Sequence, residues 1–174
     1  MHRCFPLSRF QLKNIILYLL ISSAIFLPFL YGCNADTPVP AGFFGLSGSE
    51  GEADMLRAVF EGVAYSHRSH IEKLLAYRTR PKAIRMAGGA VRSRVWRQMF
   101  ADVLNMPVEI VDTVELGAKG CALAAAVAVG VYPDYASAAA AMVRPSATIL
   151  PDPEKVPVYE RKYQAYRALI ARLV

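Results

Sequence analysis

Apolar positions recur with helical spacing along several stretches of this chain, and short apolar runs separate them. Val91, Val95, Met99 and Val103 repeat every four residues, with Trp96, Phe100 and Leu104 beside them. That pattern predicts a helix over 91–105 with one apolar face. Upstream, Met55, Val59, Val63, Ile71, Leu74 and Leu75 outline a long helix ending near Tyr77. Ser49 offers it an N-cap, and Glu52 three residues on matches a capping box. The runs at 82–87 and Pro107–Val111 predict strands. Glycine, proline, asparagine and serine crowd residues 32–48, which predicts a loop, and Pro145, Pro151 and Pro153 predict another over 144–153. Helices are expected over Glu115–Gly130, over 134–143 and from about Glu154, the last with a packing stripe of Tyr159, Tyr163 and Tyr166.

The junction at 86–93 carries the most chemical information. The run Ala83–Met86 ends in Gly88 and Gly89, and a periodic helix follows. Such a corner brings bare backbone and helix-terminal amides to a ligand, and phosphate is the ligand such amides favour. A tight turn that needs small residues is the other reading. The helix from Glu115 to Gly130 carries little side-chain bulk, which suits close approach to a neighbour or to a ligand-bearing loop.

The N-terminus also reads two ways. His2, Arg3, Arg9 and Lys13 precede an uncharged run from Ile15 to Tyr31, the pattern of a signal peptide or membrane anchor. Leu30–Cys33 resembles a lipoprotein cleavage box, although Tyr31 is bulky and Pro28 interrupts the run. Alternatively, Ala24–Tyr31 is a buried strand leading into a polar loop.

Composition narrows the choice. A chain of 174 residues, 55% hydrophobic, is one domain with a substantial core. Its net charge of +6 is scattered over Arg78, Arg80, Lys82, Arg85, Arg92, Arg94, Arg97 and the last helix. Aromatic residues do not interleave with these cations, so no nucleic-acid partner is expected. A basic rim around a phosphate site explains the charge near residue 90. Cys4, Cys33 and Cys121 show no CxxC spacing, which points to free thiols in a reducing compartment rather than to disulfides or zinc.

Three segments together carry a resemblance. They are Ala41–Leu46 followed seven residues later by Asp54–Gly62; Gly88-Gly89-Ala90 with Ser93, Trp96 and Gln98; and the Gly/Ala-rich helix from Glu115 to Gly130. From about residue 24 onward the sequence resembles the C-terminal domain of the FGGY carbohydrate kinases. Pro28–Asn34 and Glu61–His70 are similar to the L-xylulose kinase branch. The resemblance implies an α/β, ribonuclease H-like (actin-like ATPase) domain over 24–174, a mixed sheet flanked by helices, with 1–23 an unmatched apolar extension. It implies ATP-dependent phosphorylation of a pentulose hydroxyl with Mg2+. Gly88, Gly89 and Ala90 would line the nucleotide phosphates, and Ser93 would sit near the adenosine end. Trp96 and Gln98 would be packing residues.

The same resemblance exposes what is not matched. The family's acidic first phosphate loop and its catalytic aspartate lie upstream of this region, so no catalytic residue is assigned. Asp54 fits a first helical turn, and neither Asp102 nor Asp36 sits in a base motif. The expectation is a chain inactive alone or binding ATP or ADP weakly: a truncated product, a misplaced start, or one half of a split kinase meeting its sugar through a separate N-terminal domain. A homodimer is the other partner considered. A cytoplasmic location follows, with membrane association through residues 15–31 as the alternative. Glu61 is expected to be a buried hydrogen-bonding residue and Gly45 a point of close backbone approach. His67 and His70 form a two-histidine pair without an evident third metal ligand, and a surface or interdomain role is expected for them.

Overall fold

The computed structural model describes residues 23–32, 39–111 and 115–174. Most of the N-terminal extension, with Cys4, as well as Cys33 and Asp36, lies outside the described residues. The chain runs β1 (Ile25–Leu27), β2 (Gly42–Phe44), α1 (Glu52–Leu75), β3 (Ile84–Met86), a 3-10 turn (Gly89–Arg92), α2 (Arg94–Leu104), β4 (Val108–Ile110), α3 (Leu116–Ala128), α4 (Tyr135–Met142), β5 (Ala147–Ile149) and α5 (Val156–Leu173).

The strands make two sheets. β1 and β2 form an antiparallel ribbon, with Phe26 opposite Phe43 and their rings 4.7 Å apart. β3 pairs parallel with β4, and β4 pairs antiparallel with β5. The mixed sheet expected from the sequence is therefore present. Val108 and Ile110 point inward, while Arg85 and Glu109, opposite each other in register, pair at 2.9 Å on the other face.

Two strands arise where loops are expected. Gly42–Phe44 lies in a Gly/Pro-rich stretch, and its extended form comes from pairing with β1 rather than from its own propensity. Ala147–Ile149 is bracketed by prolines and is an edge strand, where proline nearby does no harm. Ile25–Leu27 is strand, as the second reading of the N-terminal run has it, and residues 15–22 lie outside the described residues. Among the described residues no helix is long and apolar enough to cross a membrane.

The long helix starts at Glu52 with Gly51, not Ser49, as N-cap, and ends at Leu75. Its first turn is tied by the Gly51 N–H donating to Asp54 Oδ2 at 3.0 Å, which gives Asp54 the first-turn role expected of it. Glu50 competes for the upstream serines: its carboxylate accepts from the backbone amides of Ser47 and Gly48 and from the Ser47 hydroxyl. That contracted turn moves the helix start two residues beyond Ser49.

The buried side of α1 also departs from the predicted face. Arg57, Ala58, Glu61, Gly62, Ala64 and Tyr65 are buried, while Val63 and Ile71 are half-buried and Leu74 is 65% exposed. Small residues face inward because α1 lies very close to β1. A Cβ on Gly62 would overlap the carbonyl oxygen of Phe26. α2 and α5 complete the core, with Val103, Tyr65, Tyr163 and Tyr166 almost wholly enclosed and the tyrosine stripe buried as expected.

The small-residue helix does not pack tightly. No residue of α3 is buried, and a Cβ on Gly117 or Gly120 would meet open space. Its one substantial neighbour among the described elements is α4.

Candidate nucleotide-phosphate site

The corner after β3 is built by one left-handed residue and one short turn. Gly88 has φ 88°, a conformation open to glycine without strain, and it turns the chain off the strand. Gly89–Arg92 then forms a 3-10 turn rather than the first turn of the long helix, with Val91 N–H donating to Gly88 O and Ser93 N–H to Ala90 O. The amides of Gly89 and Ala90 have no acceptor among the described residues. Around them the surface is clear: a Cβ on Gly88 or Gly89 would touch nothing within 4 Å. Two unspent donors on an uncovered, bulk-free corner are what an anionic oxygen requires. Arg92 and Arg94 are exposed on either side of Ser93.

Ser93 has a structural duty. It is the N-cap of α2, its Oγ accepting from Trp96 N–H at 3.3 Å, and this is why the α-helix begins at Arg94 instead of 91. Its hydroxyl hydrogen and one lone pair remain available to a ligand. Trp96 and Gln98 are packing residues, as expected. The Trp96 ring meets Phe60 and Phe100 with centroids 5.1 and 5.8 Å away. Gln98 Nε2 donates to Asp102 Oδ1 at 2.8 Å and to the Leu150 carbonyl at 2.9 Å.

Asp102 is 2% exposed and is a brace. Its Oδ1 accepts from Gln98 and from the backbone N–H of Asp152, tying α2 to the start of α5. Burial pushes its pKa up, while the two hydrogen bonds pull it down less strongly. The folded state thus holds this proton more tightly than the unfolded chain, and the carboxyl withdraws stability as pH rises through the window above 3.8. Asp102→Asn keeps an oxygen acceptor and removes that charge. It is expected to leave stability at pH 7 within about 1 kcal/mol of the parent or to raise it. Asp102→Ala orphans the Asp152 N–H and is expected to cost about 1–3 kcal/mol. Urea melts of both variants check this, and an Asp102→Asn loss as large as that of Asp102→Ala would contradict the brace.

Glu61 is buried and hydrogen-bonded, as expected, but its partners are not evident from the motif alone. Arg57 Nε and Lys162 Nζ each donate to it at 2.6 Å, so α1 and α5 share one carboxylate. A second ionic knot lies farther along α1. Arg68 pairs with Glu72 and Glu160 and sits 4.0 Å from the Tyr163 ring, while Tyr163 donates to Glu72 at 2.7 Å. Arg57, Gly62 and Lys162 are what the sequence reading misses. The i,i+4 spacing of Arg57 and Glu61 was the available signal for the first.

His67 packs edge-on against Phe100. Burial, then His70, lowers its pKa, favouring the neutral ring. Among the described residues no group of three His, Cys, Asp or Glu side chains is placed to hold a metal. Gly45 makes the close approach expected of it: with φ 71°, an added Cβ would stand 3.0 Å from the Ser23 carbonyl oxygen.

Comparison with known proteins places the chain in a family. Residues 21–129 match the family model for the FGGY family of carbohydrate kinases, C-terminal domain. The chain is 40% identical over 148 residues to L-xylulose/3-keto-L-gulonate kinase of Escherichia coli K12, covering 85% of this chain and 30% of that one. It is 35% identical over 153 residues to a probable L-xylulose kinase of Haemophilus influenzae, again covering 30% of it. The crystal structure of xylulose kinase from Rhodospirillum rubrum superposes with TM-score 0.79 and 33% identity over 94% of this chain and 33% of that one. The chain thus spans about a third of the length of the relatives it matches. It has the ribonuclease H-like, actin-like ATPase fold of the sugar kinases, and it belongs to the FGGY family of carbohydrate kinases, of which it carries the C-terminal domain.

Proposed function

We propose that this chain is the nucleotide-binding C-terminal domain of an ATP-dependent pentulose kinase of the L-xylulose kinase type, acting in the cytoplasm. The observation that carries this is the open corner at Gly88–Ala90, with two amides unengaged and no side chain to exclude a phosphate. In this reading Gly88, Gly89 and Ala90 hold phosphate oxygens through backbone, and the Ser93 hydroxyl donates toward the adenosine end while its oxygen keeps the helix cap. Exposed Arg92 and Arg94 add attraction for the anion. ATP would supply the transferable phosphoryl group and Mg2+ would offset its charge; no residue of this chain is assigned to the metal. The residues here orient the nucleotide. Deprotonation of the sugar hydroxyl belongs to an aspartate supplied from the upstream portion, because phosphoryl transfer depends on groups converging from both sides of a cleft. Sugar contacts come from that portion too.

Half a cleft binds weakly, with a Kd for ATP or ADP on the order of 1 mM. Titration of the isotope-labelled chain with ADP is expected to shift the amides of Gly88–Ser93. Gly89→Val should abolish those shifts without lowering the urea midpoint, because the new side chain enters open space. Shifts that survive Gly89→Val, or that fall elsewhere, reject the corner as the site.

A further inference from the structure

The corner that carries Gly88 and Gly89 is held between two flanks, β3 before it and α2 after it. The sheet fixes the first flank. Ile84 of β3 lies opposite Val108 of β4, and Val108 lies opposite Ile149 at the end of β5. Leu150 and Asp152 come just after that end, and both bind α2. Gln98 Nε2 donates to the Leu150 carbonyl at 2.9 Å and to Asp102 Oδ1 at 2.8 Å, which uses both of its hydrogens. Asp102 Oδ1 also accepts the Asp152 N–H at 2.8 Å. Gln98 and Asp102 are four residues apart, hence neighbours on one face of the helix. These bonds close a ring that runs from β3 through β4 and β5 to α2, and back through the corner.

The helix carries the constraint onward. The Ser93 carbonyl accepts from Arg97 N–H at 3.1 Å, the Ser93 hydroxyl from Trp96 N–H at 3.3 Å, and the Ala90 carbonyl from Ser93 N–H at 3.3 Å. Gln98 lies about 7.5 Å along the axis from Ser93, so a slide or rotation of α2 on the sheet reaches the 3-10 turn without being absorbed. Apolar packing keeps α2 on the core, but it is non-directional. The ties to Leu150 and Asp152 are directional, and they set register.

We propose that Gln98 and Asp102 are positioning residues for the nucleotide corner: by tying α2 to the segment after β5, they fix the spacing of β3 and α2 and so the aim of the Gly89 and Ala90 amides. The inference rests on the nucleotide reading above. Both residues act through the helix backbone, not by touching the nucleotide.

The test measures backbone 15N order parameters of Gly88–Ser93 without nucleotide, then the Kd for ADP, all in the full chain. Gln98→Leu removes both ties and strands little: Leu150 is 65% exposed, so its carbonyl takes up water, and Asp102 Oδ1 keeps the Asp152 N–H. Order parameters at the corner are expected to fall by about 0.2. The Kd for ADP is expected to rise about fivefold or more, because small misplacements of binding groups are costly. Asp102→Ala should act in the same direction, and Asp102→Asn, which keeps the oxygen acceptor, should return both readouts to the parent values. Leu169→Ala, on a half-buried core contact of α5, should lower the urea midpoint and leave the corner as ordered as before. A corner that keeps its order in Gln98→Leu overturns the proposal. So does equal loosening in Leu169→Ala, which would mark a general loss of stability, or Asp102→Asn loosening the corner as much as Asp102→Ala. ADP shifts at Gly88–Ser93 in the parent, with no loosening in Gln98→Leu, reject this inference and spare the nucleotide reading. Loosening in Gln98→Leu with no ADP shifts in the parent does the reverse.

Discussion

Gly62→Ala is expected to destabilise this chain by about 1–3 kcal/mol, and Gly62→Val to remove the cooperative unfolding transition. Two effects oppose each other at this position. Gly62 lies inside α1, where helix propensity favours alanine by about 1 kcal/mol. The added methyl, however, falls on the Phe26 carbonyl oxygen, which is backbone held in the β1–β2 ribbon and cannot rotate aside. Relief requires α1 to lift from β1, opening the contact around Leu27, Ala64 and Tyr65, all buried. Overpacking therefore outweighs propensity. Gly89→Ala is the contrast, since its methyl meets open space and glycine's unfolded-state entropy is reduced; a gain of up to about 1 kcal/mol is expected. Urea midpoints at unchanged m-value separate the two. A Gly62→Ala midpoint at or above the parent would show that α1 does not lie on β1 in this way.

The same position shows where sequence reading succeeds and where it stops. The strand–glycine–helix order, the Tyr159/Tyr163/Tyr166 stripe and the burial of Glu61 are legible, because each depends on local spacing or on motif order. β2 and β5 are not. Three residues among glycines or prolines carry too little periodicity, and a partner distant in sequence makes them strands. The face of α1 is misjudged for a related reason. Valine, isoleucine and leucine mark the side that periodicity selects, yet close approach to β1 demands Ala58, Gly62 and Ala64 there instead. Ser93 was legible as a residue at the corner but not as the cap of α2, because the 3-10 turn at 89–92 delays the helix. The corner thus has bare backbone in a 3-10 turn rather than the start of a long helix, and the Ser93 hydroxyl is already engaged as a cap.

Openness is unevenly spread over the molecule. The α1–α2–α5 core is closed by tyrosines and by two ionic knots, while α3, the Gly88–Gly89 corner and the β3 edge stay accessible. The exposed elements include two of the three segments that carry the family resemblance, the Gly88–Ala90 corner and α3, whereas Asp54–Gly62 runs into the core. Small residues on α3 and bare backbone at the corner add nothing to the core of this chain. Substitutions there are expected to change stability less than substitutions in the core.

Within that core the largest electrostatic effect is expected at Glu61. The carboxylate is 1% exposed and is the shared acceptor of Arg57, itself buried, and Lys162. Burial alone would lower the Arg57 pKa, but attraction and hydrogen bonding to Glu61 outweigh it and keep the guanidinium firmly charged. Glu61→Ala leaves that charge in place without its counterion, beside a second cation and with Arg57 Nη1 already lacking a partner. The expected loss is about 3–5 kcal/mol, the range for stripping one member from a buried pair. That is a large share of the stability of an ordinary domain. The intact pair need not be worth as much, because burying both charges has its own desolvation penalty. Arg57→Met combined with Glu61→Leu, which replaces both by apolar groups of similar size, is therefore expected to recover most of the loss. A double-mutant cycle followed by urea denaturation measures the coupling. Added salt should alter it little, since the pair is shielded from solvent ions. If Glu61→Ala fell within about 1 kcal/mol of the parent, the carboxylate would be solvated, and α1 and α5 would not be joined through it.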